Sequence, residues 1–219
     1  MQPARIAELL QPFLPPSSVR RLTEDDLASI SIYIDILRKW NARINLTAIR
    51  NEDEIVTRHF GESLFAAAHL FPERETTLSK NSAPTLADVG SGSGFPGVPI
   101  KLWAPEISLT LIESNHKKAT FLREVTRALT LTNIDIQGTR AESIETKFDF
   151  VTLRAVEQFE NVLQTAANLL APSARLALLI SAGQVAQAML TPHLEWQPAI
   201  QVPLSTSRVL LIGDAVYRK

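Results

Sequence analysis

The chain contains no cysteine. That excludes disulfides, thiolate metal ligands and a cysteine nucleophile, and it suits a reducing compartment. Long apolar runs are missing as well: the longest uninterrupted aliphatic stretch, Leu176 to Ile180, falls far short of the roughly 20 residues that a membrane span needs. No membrane partner is expected. The opening MQPARIAELLQPFLPP lacks a basic leader, a long apolar stretch and a small-residue cleavage site, so no secretory signal is read there and the cytoplasm is the default location. An excess of one charge is absent too. Residues 1–72 hold 8 Lys and Arg against 9 Asp and Glu, and residues 73–219 hold 14 against 14, so any nucleic-acid contact must come from a local patch. The four histidines, at 59, 69, 116 and 193, show no i, i+4 or clustered spacing, and no catalytic metal is predicted.

What is present is the composition of a globular protein, with 45% hydrophobic and 21% charged residues in 219. Leu27, Ile30, Ile34, Leu37 and Ile44 recur at helical spacing behind Thr23 to Asp26, which has the form of a capping box. A second helix is expected after Asn51, with Val56, Phe60 and Leu64 on one face as far as Leu70. Residues 1–72 therefore read as an N-terminal helical extension, and the polar 73–84 as a connection. From residue 85 the period changes. Short apolar runs at 86–89, 109–112, 134–136, 148–153 and 176–180 alternate with helical stretches such as Lys117 to Leu129. That is the pattern of an α/β fold with a mostly parallel sheet. At the end, Trp196 to Leu204 and Ser207 to Gly213 lie too close for a helical crossover, and an antiparallel C-terminal strand pair is expected. Residues 85–219 form the core on this reading.

Glycine is scarce, at eight, and four of the eight stand at 90, 92, 94 and 97 in TLADVGSGSGFPGVP. They follow an apolar strand and precede a helix expected to start near Pro96 or Gly97. Glycine there lets a ligand lie against the main chain at a helix start. Glu113, 23 residues after Gly90 and ending the next strand, is placed to accept hydrogen bonds from ribose hydroxyls, which implies an adenosine moiety. Asp88 either orients the loop or meets a cationic ligand group. Gly92 to Gly97 also spells GxGxxG, so a nicotinamide or flavin dinucleotide remains open beside S-adenosylmethionine. The methyl donor is favoured because Phe95 and Pro96 occupy the dinucleotide turn, the sheet ends antiparallel, and no dehydrogenase-like acid/base set follows.

Asn45-Leu-Thr47, Arg58-His59 with Glu-Ser-Leu, DVGSGSGFPGVP at 88–99 and the LIES segment at 111–114 resemble the RsmG (GidB) family of bacterial 16S ribosomal RNA guanine-N7 methyltransferases. Phe121-Leu-Arg123, Arg140-Ala-Glu142, Phe148-Asp149 and Arg154-Ala155 extend the resemblance over about residues 27–213. The resemblance implies a Rossmann-like class I methyltransferase sheet that uses S-adenosylmethionine on a guanine of the 530 loop, in naked 16S rRNA or in the small ribosomal subunit. It further implies donor contacts at Gly90, Phe95, Ala141, Glu142 and Arg154, joining Asp88, Gly92, Gly94 and Glu113 from the loop pattern. The chain departs from the family at Ser181-Ala-Gly183, where many members carry Lys-Gly, at Glu62, where aspartate is common, and at Leu153, where serine is usual. A monomer is the default, since no feature sets an oligomeric state.

Guanine N7 carries an in-plane lone pair and needs no deprotonation, so the chemistry calls for alignment rather than a general base. No catalytic residue is assigned. Asn45, Arg58, His59 and Arg154 are the candidates for lining the substrate cleft. Three of them have a plainer reading: a turn for Asn45, as for Thr47, a surface ion pair for Arg154, and an anchor between extension and core for His59. For RNA, Lys117, Lys118, Arg123 and Arg127 with His116 mark one helix, and Arg43, Arg50 and Arg58 a second cluster.

Overall fold

A computed structural model describes residues 1–14, 21–72, 83–155 and 158–216. The expected connection at 73–84 lies outside these residues except for 83 and 84. The chain opens with α1 (Pro3–Leu10), a helix additional to the two expected in the extension, and continues with α2 (Glu24–Asn41). Thr23 caps α2 through the full reciprocal box with Asp26, as read from the sequence. Ile44, expected on the same face, instead follows the helix end in a turn closed by its amide on the Trp40 carbonyl.

Asn51 caps the next helix through the Glu54 amide. Its path is not uniform: α3 (Glu52–Glu54) passes into a π-wound segment, Ile55–Gly61, before α4 (Glu62–Leu70). Val56, Phe60 and Leu64 are all fully buried, so the apolar face is as expected, but the π winding was not. Gly61 belongs to this packing because a Cβ there would sit 2.6 Å from the Phe13 ring.

The sheet follows: β1 (Thr85–Val89), α5 (Gly97–Trp103), β2 (Ser108–Ile112), α6 (His116–Ala128), β3 (Ile134–Gln137), β4 (Phe148–Arg154), α7 (Phe159–Asn168), β5 (Leu170–Ser181), α8 (Val185–Ala188), β6 (Leu194–Trp196), β7 (Ile200–Gln201) and β8 (Arg208–Ala215). Its order is β3-β2-β1-β4-β5-β8-β6, with β7 also on β8. The first five strands pair in parallel, and β8 runs antiparallel to β5, β6 and β7. The single extended segment expected from Trp196 to Leu204 is thus two short strands, which share one long partner.

Alternation along β5 shows how the layers form. Leu176, Leu178 and Ile180 point into one core with α7 and α8 residues Leu163, Ala166 and Ala188. Ala177 and Leu179 point into the other, where Ile30, Ile34, Phe60 and Leu64 of the N-terminal helices join Ile100 and Phe121. The N-terminal helices therefore continue the α5 and α6 layer over one face of the sheet. Parallel strands direct their carboxyl ends, Val89, Ile112, Gln137 and Arg154, to one edge of the sandwich, and the antiparallel β8 delivers its first residue, Arg208, opposite Ser181 at that edge.

Candidate active site

The glycine loop begins where β1 ends, and Asp88 holds it from beneath. Its carboxylate is completely buried, accepting from the Gly97 amide at 3.1 Å and the Thr152 hydroxyl at 2.9 Å. Burial pushes this carboxyl up to about 6, against the opposing pull of the Thr152 and Gly97 hydrogen bonds. Of the two roles open to Asp88, orienting the loop is the one its contacts serve. Gly97 allows that contact: a Cβ would lie 2.7 Å from a Leu111 methyl and 2.8 Å from the Asp88 carboxylate. Gly94, at φ +82°, is left-handed and abuts the Tyr33 hydroxyl.

Glu113 ties the loop to the neighbouring strand end. One carboxylate oxygen accepts from the Gly92 amide at 2.9 Å and the other from the Asn115 amide at 2.7 Å. Each oxygen retains a second lone pair for a ligand hydroxyl. Among the described residues the amides of Ser93 and Phe95 donate to no protein acceptor, leaving two donors at the loop's turn.

A cavity of about 440 Å³ opens beside this loop, within the size range of small-molecule sites. Gly90, Glu113, Ala141 and Glu142 line it together, the last two from a 3₁₀ turn after β3. Asp88, Gly92, Gly94, Phe95 and Arg154 lie outside its lining, although Ala155 reaches it. Asn115, Thr139 and Arg140 complete the wall unforeseen, as does Lys118, which had been grouped with the RNA-facing residues. Asn115 had a readable signal, since it caps α6 through the Lys117 and Lys118 amides.

The Phe95 ring turns away from this cavity into an aromatic column. Tyr33 stacks on it at 5.2 Å and 6°, and His59 on its other side at 4.7 Å and 17°. His59 is in turn held at both nitrogens, by Thr47 at 2.8 Å and by Arg154 at 3.2 Å. Burial, with Arg154 and Arg58 beside it, pushes the imidazole down to about 3. His59 is thus neutral at physiological pH and joins extension to sheet.

Arg154 is no surface ion pair. Its side chain is 10% exposed, donating to the Arg58 carbonyl at 2.6 Å and to Glu62 at 3.2 Å. Burial lowers its basicity, and Glu62 works against that effect. Glu62, 1% exposed, receives Arg208 on its other oxygen at 2.5 Å. Glu62 stood out in the sequence only as a departure from the family pattern, and Arg208 not at all; neither was a candidate site residue. Nor was Asn41: its side chain accepts from the Leu46 and Thr47 amides and donates to the Thr47 carbonyl, fixing the turn that presents Thr47. Asn45 is exposed and makes no hydrogen bond among the described residues, and the Arg58 side chain is likewise exposed. Lys117, Arg123 and Arg127 lie exposed on α6, with Arg43 and Arg50 exposed around the end of α2.

Comparison with known proteins bears on this arrangement. Among solved structures, a SAM-dependent methyltransferase from Aquifex aeolicus aligns with 76% of this chain and 94% of its own, at TM-score 0.56 and 14% identity. TYW2 of P. horikoshii, in complex with MeSAdo, aligns with 80% of this chain and 66% of its own, at TM-score 0.58 and 11% identity. At such identities the likeness is one of fold, and the fold is the Rossmann-like methyltransferase sheet. The Ribosomal RNA small subunit methyltransferase G of Xylella fastidiosa (strain 9a5c) is 36% identical over 185 residues, 82% of each chain. The family described as GidB, rRNA small subunit methyltransferase G, matches residues 26–196, and the chain belongs to that family.

Proposed function

We propose that the protein transfers a methyl group from S-adenosylmethionine to N7 of a guanine in the 530 loop of 16S rRNA. On this reading residues 85–219 form the donor-binding core, and residues 1–72 form an extension that carries Arg58 and His59 to the substrate side. The observation that carries it is the cavity where Gly90, Glu113, Ala141 and Glu142 converge at the strand ends, beside the Arg154 and His59 cluster.

The residues fit the donor. Glu113 and Glu142 offer carboxylates to ribose hydroxyls, and Gly90 and Ala141 keep the wall small. Outside that lining, the unpaired Ser93 and Phe95 amides at the loop's turn suit a carboxylate. Phe95 acts through its backbone, because its ring is committed to Tyr33 and His59. Bound there, S-adenosylmethionine supplies an electrophilic methyl group on a sulfonium. The protein's share is alignment and the exclusion of water. His59, kept neutral, neither takes nor gives a proton, in keeping with a nucleophile that needs no base. Positive charge arrives on the purine during transfer, so a bare cation nearby would oppose it. Glu62, shared with Arg208, partly offsets the Arg154 charge and leaves its planar donors to hold position.

Incubation with tritium-labelled S-adenosylmethionine and small subunits from cells lacking the protein, followed by mapping of the labelled nucleotide, tests the reading. Label at N7 of one guanine in the 530 loop is the expected result. Label elsewhere, or none, overturns it.

A further inference from the structure

The donor loop is gripped from the side opposite the cavity by one residue of the N-terminal helices. Tyr33 of α2 is completely buried, and its hydroxyl donates to the Ser93 carbonyl. Its ring lies flat against Phe95 and edge-on to Phe60, at 5.2 Å in both cases. Gly94 has no room for a side chain because the Tyr33 hydroxyl occupies that space. The amides of Ser93 and Phe95 donate to no protein acceptor among the described residues, and the Ser93–Gly94 peptide that Tyr33 bonds lies between the two peptides that carry them.

From this geometry we infer that Tyr33 is a positioning residue for the methyl donor: it sets the orientation of the Ser93 and Phe95 amides before the donor arrives. The inference rests on the donor-binding reading above. A loop of three left-handed glycines is intrinsically free to wander, and donors aimed in advance lose less free energy on binding than donors ordered by the ligand. The loop's other ties, Glu113 on Gly92 and Asp88 on Gly97, fix its ends. Tyr33 alone among side chains of the described residues bonds between them. Its hydroxyl stays protonated across the accessible pH range, because burial and the nearby Asp88 charge raise its pKa well above the usual value. The donor site then includes the N-terminal helices, and a core beginning at residue 85 would carry a slack loop.

Tyr33→Phe keeps the stacked ring and removes only the hydroxyl. Calorimetric titration with S-adenosylmethionine is expected to show affinity about five- to tenfold weaker, the size of one lost hydrogen bond. Exchange of the Gly94 amide in the ligand-free protein should speed up by a similar factor, while KM for small subunits and kcat at saturating donor stay within twofold. Ile34→Val, on the same helix and fully buried, serves as the control: it should lower the melting temperature and leave donor affinity and Gly94 exchange unchanged. Wild-type affinity and wild-type Gly94 exchange in Tyr33→Phe would overturn the inference. If the wild-type protein bound no donor, the proposed function and the donor-positioning role would fall together, whereas donor binding with wild-type affinity and exchange in Tyr33→Phe would overturn the inference alone.

Discussion

Nδ1 of His59 lies 3.2 Å from Nη1 of Arg154, and this contact settles which way the imidazole faces. A guanidinium only donates, so Nδ1 must accept; Nε2 then carries the hydrogen and donates to the Thr47 hydroxyl, 2.8 Å away. Protonating Nδ1 would set a cation against Arg154. The folded protein therefore resists a proton until about pH 3, whereas the unfolded chain accepts one near 6.5. The stability that depends on neutral His59 is present above pH 6.5 and drains away as pH falls toward 3. Urea midpoints measured from pH 8 to pH 4 should fall more steeply for wild type than for His59→Gln.

Asp88 works in the opposite direction. Its folded-state pKa is raised from 3.8 to about 6, so its contribution is full below pH 3.8 and is lost as pH rises through 6. The stability advantage of wild type over Asp88→Asn should shrink by roughly 2 kcal/mol between pH 4 and pH 8. Denaturant titrations of the two proteins at both pH values check this, and an advantage that grows with pH would contradict it.

Glu62 bridges Arg154 and Arg208 with almost no access to water. Glu62→Gln leaves two guanidinium groups without a counter-charge in a largely buried site, and a loss of about 3 kcal/mol is expected. For a chain of this size that lowers Tm by roughly 6 to 12 °C. Glu8→Gln, which breaks only the exposed pair with Arg5, should leave Tm unchanged. Thermal unfolding of both variants makes the comparison.

Two glycines should respond differently to the same methyl group. Gly97→Ala drives a Cβ against Leu111 and Asp88, and a loss of about 1 to 3 kcal/mol is expected, together with weaker donor binding. Gly183 has open space around it, so Gly183→Ala should alter neither stability nor binding.

The cavity half of the candidate site was legible because its signals are local. A strand period, a glycine cluster and an acid ending the next strand fall in order along the chain, and Glu113 and Gly90 do line one cavity. The other half depends on contacts between distant segments. Glu62 and Arg208 stand 146 residues apart, and nothing in the motif around Glu62 points to Arg208. The π winding at Ile55–Gly61, with the Phe13 ring packed against Gly61 at its end, is announced by no helical period. Phe95 was readable as a loop residue, but the direction of its ring was set by Tyr33 and His59, from helices that the loop motif does not mention. Lys118 shows the same limit: helical spacing gave its charge but not its place on the cavity wall.

Whether the cavity at Gly90, Glu113 and Ala141 takes the methyl donor is decided most directly by calorimetric titration of the wild-type protein and of Ala141→Phe, which fills the cavity from a surface turn. Saturable one-to-one binding of S-adenosylmethionine to wild type, no binding of NAD, and loss of the donor signal in a stably folded Ala141→Phe is the predicted outcome. Undiminished donor binding in Ala141→Phe, or saturable NAD binding to wild type, would contradict it.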